Sequence, residues 1–136
     1  MVRIEECASH GWWATWQAAL GIDASRLDAV AALFDRVSTP TAFVSVTMEG
    51  VHVAVALGVL DNRWLGIFNM GTLPQLRRRG AGRAALIALA GWAAQRDATT
   101  GYLQVDLDNR PALGLYRAIG FKPAYRYVYL ARERQA

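Results

Sequence analysis

Residues 73–86 read LPQLRRRGAGRAAL. Arg77, Arg78 and Arg79 run straight into Gly80, Ala81 and Gly82, and Arg83 follows. The alanine-rich segment beyond predicts a helix from about Gly80 to Arg96. The first N–H groups of such a helix have no internal partners, and its dipole adds partial positive charge. The two glycines keep the backbone uncovered, so an anion can come within hydrogen-bond distance. The arginines supply long-range attraction and bidentate contacts to phosphate oxygens. This spacing suits a pyrophosphate cradle. Solvated arginines on a surface turn produce the same short pattern, so the stretch alone leaves both readings open.

Two familiar phosphate motifs fit less well. No Gly-Lys-Ser/Thr follows, which excludes Walker A. Residues 80–85 match G-x-G-x-x-A, and Asp106 lies near the end of the next strand-like segment. The first glycine of that fingerprint should follow its strand directly, yet TLPQLRRR intervenes. A Rossmann-like nucleotide binder is therefore an alternative and not the leading reading.

A second motif lies downstream. Residues 109–121, NRPALGLYRAIGF, have the form N-x-x-A-x-x-L-Y-x-x-x-G-F. Together with the arginine-glycine stretch and the intervening YLQVDLDN, this resembles the GNAT superfamily of N-acetyltransferases. The resemblance covers Trp64 to about Tyr129, and the whole looks like the C-terminal, acetyl-CoA-binding half of tandem members.

The resemblance implies acetyl-CoA as cosubstrate and transfer of its acetyl group to a primary amine by direct attack. It places Arg77, Gly80 and Gly82 in the family's R-x-x-G-x-G pattern. Backbone N–H groups of Arg78, Arg79, Gly80, Ala81, Gly82 and Arg83 would then hold the pyrophosphate. Donors to the developing oxyanion would come from the backbone of Asn69, Met70, Gly71 and Thr72. That strand and the next would splay apart around pantetheine, with Gly71 marking the bulge. Tyr116 falls at the general-acid position. A phenol near pKa 10 is protonated at neutral pH and can donate to a leaving thiolate of pKa about 8.5. Packing in the core is the competing role for Tyr116. Asn109 reads as an N-cap, and the family also uses this position near the cofactor.

No base is evident. WLGIFNM contains no acid, and Glu49, His52, Asp61 and Asp106 read as turn or surface residues. A water chain or an acceptor of low pKa would remove the need for one. A catalytically silent CoA-binding or interaction module is thus a further alternative. The cluster Trp12, Trp13 and Trp16 suits a core, an acceptor pocket or a subunit contact.

These groups need a scaffold, and the pattern supplies an α/β (α+β) one. VRIEE reads as a first strand, and Trp12 to Leu20 and Ala24 to Val37 read as helices. TAFVSVTMEGVHVAVALGVL reads as a hairpin broken at Glu49-Gly50, and WLGIFNMG as another strand. GYLQVDL alternates, Pro111 suits the start of the next helix and Gly120 its end. YRYVYLA reads as a final strand. The resemblance makes this a mixed, mostly antiparallel sheet with helices on both faces and a splayed central strand pair.

At 136 residues, 54% hydrophobic and 19% charged, the chain suits one packed domain over residues 1–136. No apolar run approaches the roughly 20 residues of a membrane span. The N-terminus does not read as a signal peptide, and Cys7 is the only cysteine. A reducing, cytoplasmic location is expected. Net charge is +4 and the pI about 9.7. Much of the excess is the arginine cluster and the tail ARERQA, and Lys122 is the only lysine, which argues against nucleic acid. No metal is expected.

Only about fifteen residues follow Gly120, and they read as one strand carrying Tyr125, Tyr127 and Tyr129. A sheet short of one strand exposes an edge that recruits a partner. A homodimer through this segment is expected. Light scattering at micromolar concentration should report twice the chain mass, whereas one species near 14.9 kDa overturns it.

Overall fold

The computed structural model describes residues 1–34, 36, 38–106 and 108–123. The chain falls into two compact units, Met1–Gln104 and Val105–Ala136. The first carries β1 (Val2–Glu5), α1 (His10–Leu20), α2 (Ala24–Phe34), β2 (Thr41–Met48), β3 (Val51–Asp61), β4 (Trp64–Thr72), α3 (Ala81–Ala94) and β5 (Thr100–Leu103). The second carries α4 (Arg110–Ile119).

Among the described residues the strands form one sheet in the order β1-β2-β3-β4-β5. Neighbours are antiparallel except β4 and β5, which are parallel and joined through α3. The β2–β3 hairpin turns on Glu49 at φ 51° and Gly50 at φ 78°. Positive φ at both central residues of a two-residue loop matches the twist of the flanking strands. Ser9 caps α1 by accepting from the Trp12 N–H at 3.1 Å, and Gly21 closes it in the left-handed region.

Adjacent residues of a strand face opposite ways. On β3, Val55 and Leu57 join Trp12, Trp16 and Phe43 in a buried cluster beneath α1. Gly58 faces the other way, where a Cβ would stand 2.6 Å from Leu89 Cδ2 on α3. Helices therefore cover both faces, as expected. Ala81, Ala85, Leu86, Leu89 and Ala93 are the buried stripe of α3.

Two boundaries differ from expectation. The alternation in residues 101–107 suggested a strand throughout, but β5 ends at Leu103. Its partner β4 leaves it after Ile67, so among the described residues no ladder remains to extend. The second helix ends at Phe34, and Val37 lies outside the described residues. So do Leu107 and the expected last strand, residues 124–131.

The tryptophan cluster is core. Trp12 is 1% and Trp16 4% exposed. The Trp12 ring meets Trp13 and Phe43 edge-on at centroid distances of 5.0 Å and 5.2 Å. Its Nε1–H donates to the carbonyl of Ala56 at 3.2 Å. Replacing Trp12 with phenylalanine should lower the unfolding free energy by about 2 kcal/mol, from the lost bond and the cavity together. Trp13→Phe, at a half-buried position, should cost less than about 1 kcal/mol. Urea unfolding of both variants checks the ranking, and equal losses would remove the role given to the indole N–H.

Candidate active site

The site begins where β4 parts from β5. Their parallel pairing starts at Trp64 opposite Thr100 and stops at Ile67 opposite Leu103. β4 continues to Thr72 while paired with β3. From Phe68 onward, the edge of β4 that faced β5 has no strand beside it among the described residues.

The parting coincides with a bulge. Leu57 pairs with Phe68 and Val55 with Gly71, so Asn69 and Met70 stand against Ala56 alone. Asn69 takes up the extra residue at φ 53°, where asparagine is among the better tolerated side chains. The bulge was expected at Gly71, and the structure corrects this. Gly71 lies in regular register, and its small size serves a different end. A Cβ on Gly71 would come within 2.9 Å of Ala19 Cβ, so the residue lets α1 cross β4 closely.

Beyond Thr72 the chain turns through a short 3-10 segment, Pro74–Leu76. The Leu73 N–H donates to the Val53 carbonyl at 2.9 Å, and Arg77 Nε donates to the Thr72 carbonyl at 3.4 Å. Arg78 adopts φ 67° and Gly80 φ 83°. A Cβ on Gly80 would meet nothing within 4 Å, so this glycine answers to conformation and not to crowding. Gly80 is the N-cap of α3, and its carbonyl takes the first helical bond, from the Ala84 N–H at 3.0 Å. The N–H groups of Ala81, Gly82 and Arg83 precede that bond and lack helical partners. Arg77, Arg78, Arg79 and Arg83 are all exposed. Among the described residues none of the four is ion-paired. Asn69, Met70, Gly71, Thr72 and the arginine-glycine loop are thus consecutive parts of one path within the first unit.

Tyr116 and Asn109 belong to the second unit. Asn109 caps α4, its side-chain oxygen accepting from the Ala112 N–H at 3.3 Å, as the sequence suggested. Gly120 closes α4 in the left-handed region, its N–H reaching the Tyr116 and Arg117 carbonyls at 3.1 Å. Phe121 donates from its N–H to the Tyr116 carbonyl at 2.9 Å and sets its ring edge-on to the phenol, 6.1 Å between centroids. Tyr116 is half-buried. Burial pushes its phenol above the usual value of 10, so it stays a proton donor well past neutral pH.

The candidate bases are dispersed. Glu49 lies in the β2–β3 turn and Asp61 at the far end of β3. Asp61 is five residues along β3 from Ala56, about 17 Å at roughly 3.4 Å per residue, and Glu49 is farther. Neither is within hydrogen-bond reach of the bulge. Asp106 is exposed beyond β5, in the second unit. His52 is turned against α1, where a Cβ on Gly11 would lie 2.8 Å from its Nε2, and its buried Nδ1 has no hydrogen-bond partner among the described residues. Among the described residues no group of three His, Cys, Asp or Glu could hold a metal, and no helix is long and apolar enough to cross a membrane.

The acetyltransferase (GNAT) family model matches residues 8–121. The chain is 30% identical over 89 residues to the uncharacterised N-acetyltransferase YobR of Bacillus subtilis (strain 168), covering 65% of this chain and 36% of that protein. It is 36% identical over 81 residues to the [ribosomal protein bS18]-alanine N-acetyltransferase of Escherichia coli (strain K12), covering 58% and 53%. It therefore spans about half, or less, of the length of these curated relatives. Among solved structures, the aminoglycoside enzyme AAC(6')-Iy, in complex with a CoA-linked bisubstrate analogue, superposes with a TM-score of 0.76 at 14% identity over 98% of this chain and 99% of that one. The ribosomal-protein-S18-alanine N-acetyltransferase from Escherichia coli gives 0.73 at 24% identity over 92% and 80%. At such identities the likeness to solved structures is one of fold.

Proposed function

The chain belongs to the acetyltransferase (GNAT) family, and we propose that it transfers an acetyl group from acetyl-CoA to a primary amine without a covalent enzyme intermediate. The observation that carries this reading is the parting of β4 and β5 at the Asn69–Met70 bulge, followed along the chain by the open turn at Gly80. A strand edge unpaired among the described residues suits the amides of pantetheine, and N–H groups without helical partners, beside four guanidiniums that make no ion pair among the described residues, suit a pyrophosphate. Structural neighbours solved in complex with CoA or a CoA-linked analogue support the choice of ligand.

In this reading the unprotonated amine attacks the thioester carbonyl, the new C–N bond forms and the C–S bond breaks. Backbone donors at Asn69, Met70, Gly71 and Thr72 would stabilise the oxyanion, each worth roughly a hundredfold or more if preorganised. Tyr116 gives its proton to the departing thiolate, the proton lost by the amine passes to water, and water returns one to the phenolate. Asn109 holds the first turn of α4. A second reading, a CoA-binding module without turnover, draws on the absence of a carboxylate on β4 and within reach of its bulge among the described residues. A thiol-release screen with a panel of amines separates the two. Soluble expression in the cytoplasm is part of the first reading.

Gly82→Asp should abolish acetyl-CoA binding by calorimetry while leaving the thermal midpoint within a few degrees, because both a side chain and a negative charge enter the first turn of α3. Unchanged affinity would remove the cradle. Tyr116→Phe should reduce kcat by about a hundredfold with little change in acetyl-CoA affinity. Loss of the wild-type rate through phenol ionisation should set in at higher pH than for a free tyrosine, since burial raises that pKa. The same shift contributes stability below pH 10 that is lost as pH rises through the folded value. A variant with wild-type kcat would show that Tyr116 only packs.

A further inference from the structure

Three aromatic rings stand open on one face of the sheet. Trp64 is 51%, Tyr102 42% and Phe68 37% exposed. Tyr102 sits between the other two, with centroids 6.1 Å from each and both contacts edge-on. Gly66 lies between Trp64 and Phe68 on β4, opposite Tyr102. A Cβ there would come within 2.6 Å of Phe68 Cε2 and 2.7 Å of Tyr102 Oη. The rings thus lean over bare backbone and hold one another in place.

This is the α1 face, because Phe68 pairs with Leu57 of the cluster beneath that helix. α1 crosses β4 at Gly71, and the rings stay partly exposed among the described residues. Phe68 immediately precedes Asn69. The strip therefore starts at the bulge and runs away from it for about 13 Å, from Phe68 to Trp64. At its far end the exposed Asp61 stands opposite Trp64. Among the described residues Asp61 has no ion pair, although Arg63 follows by two positions. The order is transfer point, aromatic faces, free carboxylate.

The geometry points to an acceptor subsite, an assignment that rests on the acetyltransfer reading. The acceptor it fits is an elongated cation whose reacting amine lies at the bulge and whose second positive group lies over Trp64 and against Asp61. Aromatic faces attract cations, and the carboxylate fixes the distal charge. A neutral or purely apolar acceptor would leave Asp61 unused.

Two isosteric probes test this, 1,10-diaminodecane and 1-aminoundecane, with binding measured by calorimetry in the presence of coenzyme A. The diamine should bind roughly tenfold more tightly than the monoamine to the wild type. Asp61→Asn and Trp64→Ala should each reduce that preference to less than about twofold, with acetyl-CoA affinity and thermal midpoint unchanged. Both positions are exposed, so neither variant threatens the fold. Equal affinity for the two probes, or a preference that survives both substitutions, overturns the subsite. Diamine binding by a protein that does not bind acetyl-CoA also overturns it as an acceptor site. Acetyl-CoA binding without any diamine preference leaves the acetyltransfer reading standing and removes only this one.

Discussion

The site depends on one irregularity in one strand. β4 carries an extra residue at Asn69–Met70, opposite Ala56, and beyond it the ladder to β5 is gone. A bulge costs ladder pairing and here also puts a non-glycine residue at positive φ. It persists only if its surroundings over-determine it. Trp12 contributes to that. Its buried indole donates to the carbonyl of Ala56, the residue facing the bulge, and its ring is clamped between Trp13 and Phe43. Gly71, two residues beyond, lets α1 lie close enough for this. The first helix therefore supports the position where β4 turns away from β5.

The arginine loop obeys a second constraint, charge. Four guanidiniums lie within seven residues and repel one another, and among the described residues no carboxylate offsets them. The orientation of α3 adds to the cost, since its positive end faces the same loop. A protein selected only for stability would place acids here. The arrangement makes sense if an anion occupies the loop when the protein works, and a ligand bound to the folded state alone returns the stability by mass action.

Local chemistry was legible in the sequence wherever a single residue decides a local conformation. Asn109 caps α4, Gly120 ends it, and Glu49-Gly50 turns the hairpin. The alanine-rich run forms α3, and the two motifs lie on the elements expected of them. What escaped was set by pairing between distant segments. The bulge was expected at Gly71 because glycine favours bulges, yet register with β3 puts it at Asn69. Strand β5 stops early because β4 withdraws, which the alternation of residues 101–107 cannot signal. The Trp12 to Ala56 bond joins residues 44 positions apart with no shared motif.

The tryptophans show how the same residue type comes to serve two ends. Trp12 and Trp16 of α1 and Trp64 and Phe68 of β4 all lie on the same side of the sheet. The difference is coverage. α1 lies over β3 and the Gly71 end of β4, and beneath it the rings are excluded from water and act as core. Past that crossing Trp64, Phe68 and Tyr102 keep between 37% and 51% of their surface exposed among the described residues. Leaving three rings exposed forgoes the burial that drives folding. The partly exposed patch starts at the residue before the bulge and ends at a carboxylate without an ion pair among the described residues, and that arrangement is what the proposed subsite would explain.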